Sequence, residues 1–228
     1  MSSIENLDQK INKIWPENGP SIKHVKKYIK KYSKEKIVIK CGGRVLLDPN
    51  LFNNFINDIT ILKKLGLMPV VVHGGGPRIK KRLDQLKIET KFIFGLRVTD
   101  EKIIKVVEEV MLQFNKEIVS AIAKKSCEAK SVTIKENNSI HVRQKSKELG
   151  FVGHPTKIDD NIIQNIIKDN YIPIISPMGL DENKQAYNIN ADIAAGALAI
   201  SLKSRRLMLM TDVEGVYDKN KKLISEIK

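Results

Sequence analysis

The sequence predicts an α/β fold: a three-layer α-β-α sandwich around a mostly parallel sheet, preceded by an N-terminal helical extension. Three observations carry that prediction. From residue 36 onward, short apolar runs alternate with longer amphipathic segments, the pattern of buried strands joined by crossover helices. Each glycine-rich or polar cluster stands where such a run ends, and an open parallel sheet binds its ligands at the carboxyl ends of its strands. Residues 1–34 show only helical spacing. The chain is therefore read as an extension over 1–34 and a sheet domain over 35–228.

In the extension, Ile4, Leu7, Ile11 and Ile14 recur at three- to four-residue spacing until Trp15-Pro16 breaks the pattern. Ser21 to Tyr32 follows as a second helix, with Ile22, Val25, Tyr28 and Ile29 on one face. Such helices either pack on their own domain or dock on another subunit. Ile37-Val38-Ile39 is the first buried strand, and Phe52 to Leu65 is a helix with Phe52, Phe55, Ile59 and Leu62 inward. Met68 to Val72 is the second strand, running into a glycine turn and a helix through Leu86. A long helix spans roughly Glu101 to Lys125. The chain then turns polar and hairpin-like, through Ile140-His141-Val142 to Phe151-Val152. Asp159 to Lys168 is a helix, Ile172 to Ser176 a strand, Ala191 to Leu202 a small-residue helix, and Leu207 to Met210 the last strand.

Composition narrows the function. The 228 residues are 42% hydrophobic, enough for a packed core and against a disordered chain. No apolar stretch approaches the ~20 residues that span a bilayer, and residues 1–16 do not read as a signal peptide, so the cytoplasm is expected. Two cysteines, Cys41 and Cys127, fit a reducing compartment. The net charge of +14 suggests nucleic acid at first sight. Most of the cations are lysines scattered along the chain, and aromatics are only 5%, too few for base-stacking platforms. Anionic small substrates or a solvated lysine surface explain the charge better, and neither a nucleic-acid nor a membrane partner is expected.

His73-Gly74-Gly75-Gly76-Pro77 follows the second strand. Successive glycines let the backbone approach a ligand, and amides at the start of the next helix make an anion site. Lys40-Cys41-Gly42-Gly43 repeats the logic at the first strand: either a point charge on a phosphate, or a lysine snorkelling at a strand edge. It is not a P-loop, because the lysine precedes its glycines. In Gly95-Leu96-Arg97-Val98-Thr99-Asp100, Thr99 or Asp100 reads as a helix cap, and Arg97 as a fork for a carboxylate or as a surface ion pair. Alternation points Asn188 and Asn190 the same way, with Asp192 in the first helical turn; they read as substrate amides and a charge that orients lysines, or as a cap in a turn. Thr211 to Tyr217 reads as a surface turn or as the lining of a nucleotide pocket. His24, His73, His141 and His154 lack metal spacing, and no protein-held metal is expected. Neither a Gly-x-Ser-x-Gly elbow nor a GxGxxG fingerprint is present.

Taken together and in order, these motifs resemble the amino acid kinase family, over about Ile37 to the last residue. Five agree in sequence and spacing: Ile-Lys-Cys-Gly-Gly at 39–43, His-Gly-Gly-Gly-Pro at 73–77, Gly-Leu-Arg-Val-Thr-Asp at 95–100, Asn-Ile-Asn-Ala-Asp at 188–192 and Thr-Asp-Val-Glu-Gly at 211–215. The Gly-Leu-Arg-Val-Thr-Asp run favours N-acetylglutamate as acceptor over carbamate, aspartate or UMP. The resemblance implies transfer of the γ-phosphoryl group of ATP, with Mg2+ carried by the nucleotide, to the γ-carboxylate of N-acetyl-L-glutamate on the way to arginine. It implies catalytic roles for Lys40 and Asp192, nucleotide-side contacts from Gly42, Gly43, Thr211, Asp212, Gly215 and Tyr217, and substrate contacts from Gly75, Gly76, Arg97, Asn188 and Asn190. Residues 35–228 would then hold the acetylglutamate-binding part and the start of the nucleotide-binding part.

The sequence departs from the family pattern twice. The family normally continues beyond the position of Lys228, with a Gly-Gly-Met-x-x-Lys type segment whose lysine is a second phosphoryl-stabilising cation. Loss of one such donor costs ~10²–10³ in rate, and loss of strands leaves an unpaired sheet edge. The chain is then either a fragment or a shortened homologue that binds acetylglutamate with impaired catalysis. Secondly, Lys135-Glu136-Asn137-Asn138 stands where the family usually has a Gly-x-Asp-type turn. The basic leader resembles the helix that interlaces dimers into hexamers in arginine-inhibited members, which implies a homo-oligomer and arginine feedback in the full-length form.

Overall fold

The computed structural model describes residues 7–16, 19–211 and 213–226. In chain order, α1 (Leu7–Ile14) and α2 (Ile22–Tyr32) lead into β1 (Lys36–Cys41), α3 (Pro49–Lys64), β2 (Met68–His73) and α4 (Gly76–Gln85). The hairpin β3 (Phe92–Ile93) and β4 (Leu96–Arg97) precedes the long α5 (Glu101–Ala123). Then come β5 (Ala129–Val132), β6 (Ile140–Gln144), β7 (Gly153–Ile158), α6 (Asp160–Lys168) and β8 (Ile172–Ile175). A hairpin of β9 (Met178–Leu180) and β10 (Ala186–Asn188) leads to α7 (Ala191–Ser201), β11 (Arg206–Met210), β12 (Val216–Tyr217) and β13 (Leu223–Ile224).

The central sheet runs β11-β1-β2-β8-β5, and every neighbouring pair in it is parallel. A second sheet runs β10-β9-β6-β7. Successive strand residues face opposite sides, and that period sorts the core into two layers. Ile37, Ile39, Cys41 and Val71 pack with α2, α3 and α5, while Val38, Val70 and Val72 pack with α6 and α7. By the same parity Lys40 falls on the α7 side and His73 on the α5 side.

The extension joins this core. Ile11, Val25, Ile29 and Tyr32 are buried in the α3–α5 layer, so both helices pack on their own chain. Tyr28, expected on the packed face, is instead exposed and stacks on the Tyr32 ring. The α3 helix begins three residues earlier than expected, because Asp48 caps it through the amides of Asn50 and Leu51 with Pro49 in the first turn. β11 is the sheet's edge: Leu207, Met208 and Leu209 are 41–49% exposed, against 0% for Val70, Val71 and Val72. The Lys135–Asn138 segment is a turn in which Thr133 Oγ1 accepts the amides of Lys135 and Glu136. Among the described residues, no helix is long and apolar enough to cross a membrane.

Candidate active site

The carboxyl ends of β1 and β2 lie side by side, with Lys40 opposite Val72 and Cys41 opposite His73. Around them the fold closes a cavity of about 230 Å³ lined by three glycine-bearing segments (42–43, 74–76 and 95) and by Lys40, Arg97, Asn188, Asn190 and Asp192. Nine of the thirteen residues singled out from the sequence meet here: Lys40, Gly42, Gly43, Gly75, Gly76, Arg97, Asn188, Asn190 and Asp192. Thr211, Gly215 and Tyr217 do not line the cavity. Thr211 follows β11, Tyr217 lies on β12, both are exposed, and the Tyr217 hydroxyl donates to Glu214. Asp212 lies outside the described residues.

Lys40 leaves its strand towards α7, and its Nζ sits 3.0 Å from Asp192 Oδ1. The lysine is largely buried and the carboxylate half exposed, so the pair points its charge into the cavity rather than into the core. Gly42 makes room for this: a Cβ there would stand 2.7 Å from Lys40 Nζ. Asp192 is placed by Asn190, whose Oδ1 accepts the amides of Asp192 and Ile193 as the cap of α7. Asn190 therefore spends its carbonyl oxygen on the helix, while Asn188 reaches the rim from the end of β10.

Gly75 caps α4, whose first amides have no acceptor within the helix, and Gly75 and Gly76 line the cavity. A Cβ on Gly75 would meet Met111 Sδ at 2.6 Å, so α5 presses directly on the glycine turn. Arg97 is buried, with only neutral partners. Its guanidinium donates to Thr90 Oγ1 at 3.0 Å and to Gly76 O at 3.3 Å, and stacks 4.7 Å from the Phe92 ring centroid. Burial pulls its pKa below the ordinary value, with the charge of Asp84 opposing, yet a guanidinium stays protonated. Among the described residues, no carboxylate lies within ion-pair distance of it. A buried cation so placed favours an anionic ligand. Thr99, expected as one of two possible caps, donates to Arg97 O instead, and Asp100 caps α5.

Cys41 and Cys127 are buried free thiols. Burial pushes Cys41 up to about 12, which leaves it inert as a nucleophile. Sequence reasoning missed Thr90, Phe92 and Met111. The turn Phe94-Gly95, both with positive φ, is the signal that could have exposed the β3–β4 hairpin and with it Phe92. Met111 carries no local signal, since it reads as one more apolar position on a long helix.

A sequence model of the Amino acid kinase family matches residues 35–228. An acetylglutamate kinase from Pelagibacter ubique is 53% identical over 227 residues, covering 100% of this chain and 78% of that protein. One from Rhodospirillum centenum is 37% identical over 227 residues, covering 93% and 74%. The solved structure of smu.665 from Streptococcus mutans superimposes with a TM-score of 0.73 at 29% identity, covering 81% of this chain and 75% of that one.

Proposed function

The chain belongs to the amino acid kinase family, and from that premise we propose that it phosphorylates the γ-carboxylate of N-acetyl-L-glutamate with ATP. The observation that supports the reading is that the buried Arg97, with no carboxylate at ion-pair distance among the described residues, lines the same cavity as the Lys40–Asp192 pair. The two cationic groups suit a substrate with an anion at each end. Arg97 holds the α-carboxylate in its fork, Asn188 and the Gly75 and Gly76 backbone hold the remainder, and the γ-carboxylate is left facing Lys40.

The carboxylate oxygen attacks the γ-phosphorus as the bond to the β-phosphate oxygen breaks, giving an acyl phosphate and ADP. Such a step is catalysed chiefly by positioning and by charge placed where charge develops. Lys40 supplies that charge, the Gly42 and Gly43 amides supplement it, and Asp192 keeps the ammonium in place. ATP arrives with its own Mg2+ on the Thr211–Tyr217 side, at the same sheet end, since Leu209 and Met210 pair with Lys40 and Cys41. Thr211, Asp212, Gly215 and Tyr217 belong to this reading as nucleotide contacts. Cytoplasmic location, a homo-oligomer and arginine feedback in a longer form belong to it too; sedimentation with and without arginine tests the last two.

Calorimetric titration with N-acetylglutamate, then Mg-ATP in the same cell with ADP measured, tests the reaction. Binding followed by ADP formation is expected. Arg97→Ala should weaken acetylglutamate roughly ten- to hundred-fold, the worth of a charge-assisted hydrogen bond or pair of them. A folded chain that ignores N-acetylglutamate, or binds it equally well without Arg97, overturns the reading.

A further inference from the structure

One buried polar group beside the cavity has no part in the chemistry above. His73 ends β2 with its side chain fully buried on the α5 side. Its Nδ1 lies 3.0 Å from Gly74 O and its Nε2 lies 3.2 Å from Asn115 Nδ2. The Asn115 amide nitrogen also donates to Ile174 O at 2.8 Å, which fixes the nitrogen on that side because two facing carbonyl oxygens would repel. Asn115 Nδ2 is thus a donor towards His73, so Nε2 must accept. The imidazole proton is then on Nδ1, from where it donates to Gly74 O.

The circuit reads in one direction only: Asn115 donates to Ile174 O and to Nε2, and Nδ1–H donates to Gly74 O. Burial pushes the His73 pKa down to about 4, with the Gly74 contact opposing and the Arg78 charge adding, so the ring is neutral at ordinary pH. The Phe114 ring stands edge-on to it, with centroids 5.2 Å apart. Asn115 Oδ1 is itself buried with no hydrogen-bond partner among the described residues. The amide therefore keeps its orientation at a cost to one of its own atoms.

What the circuit holds is the peptide leaving Gly74. The Gly74 amide is already committed to Cys41 O at 2.7 Å, across the β1–β2 pair. With its carbonyl taken by His73, the residue is fixed at both ends, and the next two amides belong to Gly75 and Gly76 on the cavity wall. We propose that His73 and Asn115 are positioning residues: through one imposed tautomer they aim the glycine-turn amides that bind substrate. The inference rests on the proposed function for the identity of that substrate, but its geometry stands independently.

A volume-filling role and a positioning role rank two variants in opposite order. In His73→Asn the side-chain amide can place an N–H where Nδ1 stands, short of Asn115. In His73→Gln, nearer to histidine in size, the amide reaches the Nε2 position and leaves Gly74 O without its donor. Calorimetry on the full chain should find His73→Asn within about threefold of wild-type affinity for N-acetylglutamate, the worth of one neutral hydrogen bond. His73→Gln should lose about tenfold or more, because the amides are misplaced. In amide NMR spectra the Gly75 and Gly76 signals should move in His73→Gln and stay in His73→Asn. Glutamine equal to or better than asparagine on both readouts overturns the proposal. If neither variant folds, nitrogen NMR of the wild-type His73 ring decides: Nδ1–H supports the circuit, and Nε2–H removes it. A wild-type chain that fails to bind acetylglutamate sinks the proposed function instead, and the amide shifts still decide this inference.

Discussion

The carboxyl ends of β1 and β11 are paired neighbours in one sheet, and they are built differently. At β1, the Lys40 ammonium is held by Asp192, which the Asn190 cap and α7 hold in turn, while α5 presses on the facing glycine turn through Met111. At β11, among the described residues, one strand edge is paired and the other is free, its apolar side chains are roughly half exposed, and the following hairpin is largely exposed as well. The difference teaches that a charge is positioned where secondary structure packs on both sides of its strand. The side read as the acceptor's meets that condition among the described residues. The segment read as the nucleotide side follows β11, which among the described residues is paired on one edge only.

Lys40→Ala breaks this contrast most severely. On the proposed mechanism, removing this charge should cut turnover by ~10²–10³, with acetylglutamate affinity barely changed because the proposed substrate contacts of Arg97 and Asn188 remain. Steady-state kinetics beside calorimetry reads both. Equal losses in rate and affinity would mean that Lys40 binds the ground state and that the well-packed side is merely a binding surface.

Titration sharpens the same contrast, because two buried ionisable groups sit side by side at the centre. His73 has a folded pKa of about 4 against 6.5 for the free group. Between those values the unfolded chain binds the extra proton, so stability is full above about pH 6.5 and is lost as pH falls towards 4, by ~3 kcal/mol in all. Cys41 works at the other end: its folded pKa is about 12 against 9.0. There the unfolded chain ionises first, and stability declines as pH rises above about 9. Urea unfolding across pH should show a plateau between these limits. In His73→Asn the acid-side decline should shrink, since asparagine does not titrate. An unchanged acid limb would assign it to carboxylates instead.

How much of this was legible in the sequence divides along the same line. Strands such as Met68–His73 announce themselves, because a strand buried on both faces must be apolar throughout. The glycine turns that follow are legible for a related reason: a backbone that approaches a ligand can carry no side chain. Lys40 and Arg97 were found through those turns, since each stands within a few residues of a glycine, and Asp192 through the asparagine pair that precedes its helix. The contacts that fix them were not legible. Thr90 and Phe92 meet Arg97 through the short β3–β4 hairpin, while Met111 and Asn115 come from elsewhere in the chain, where helix packing sets their partners and leaves only an apolar period in the sequence. Asn115 is the plainest case: a polar residue inside the apolar stripe of α5 can be read as a defect until His73 is seen against it. The β9–β10 hairpin was missed as well, because its Asp181–Lys184 turn is held by the Asp181 carboxylate accepting from two amides rather than by glycine. At the edge, the apolar letters of Leu207–Met210 resemble those of a central strand, and nothing in them shows that one side is open.

The smallest effect gives the most direct test of that last point. Val71→Ala removes two carbons from a side chain that is 0% exposed, and transfer plus residual cavity should cost about 2 kcal/mol. Leu209→Ala removes three carbons from one that is 49% exposed and should cost only about 0.5–1 kcal/mol. The larger truncation should therefore be the milder one, measured by urea unfolding at equal slope. A reversed order would show that the β11 edge is covered in solution. Repeating the measurement at several protein concentrations would then separate the two ways of covering it. A Leu209→Ala cost that grows with concentration means a second copy lies against the strand, because association stabilises by mass action. A constant cost means the cover comes from the chain itself.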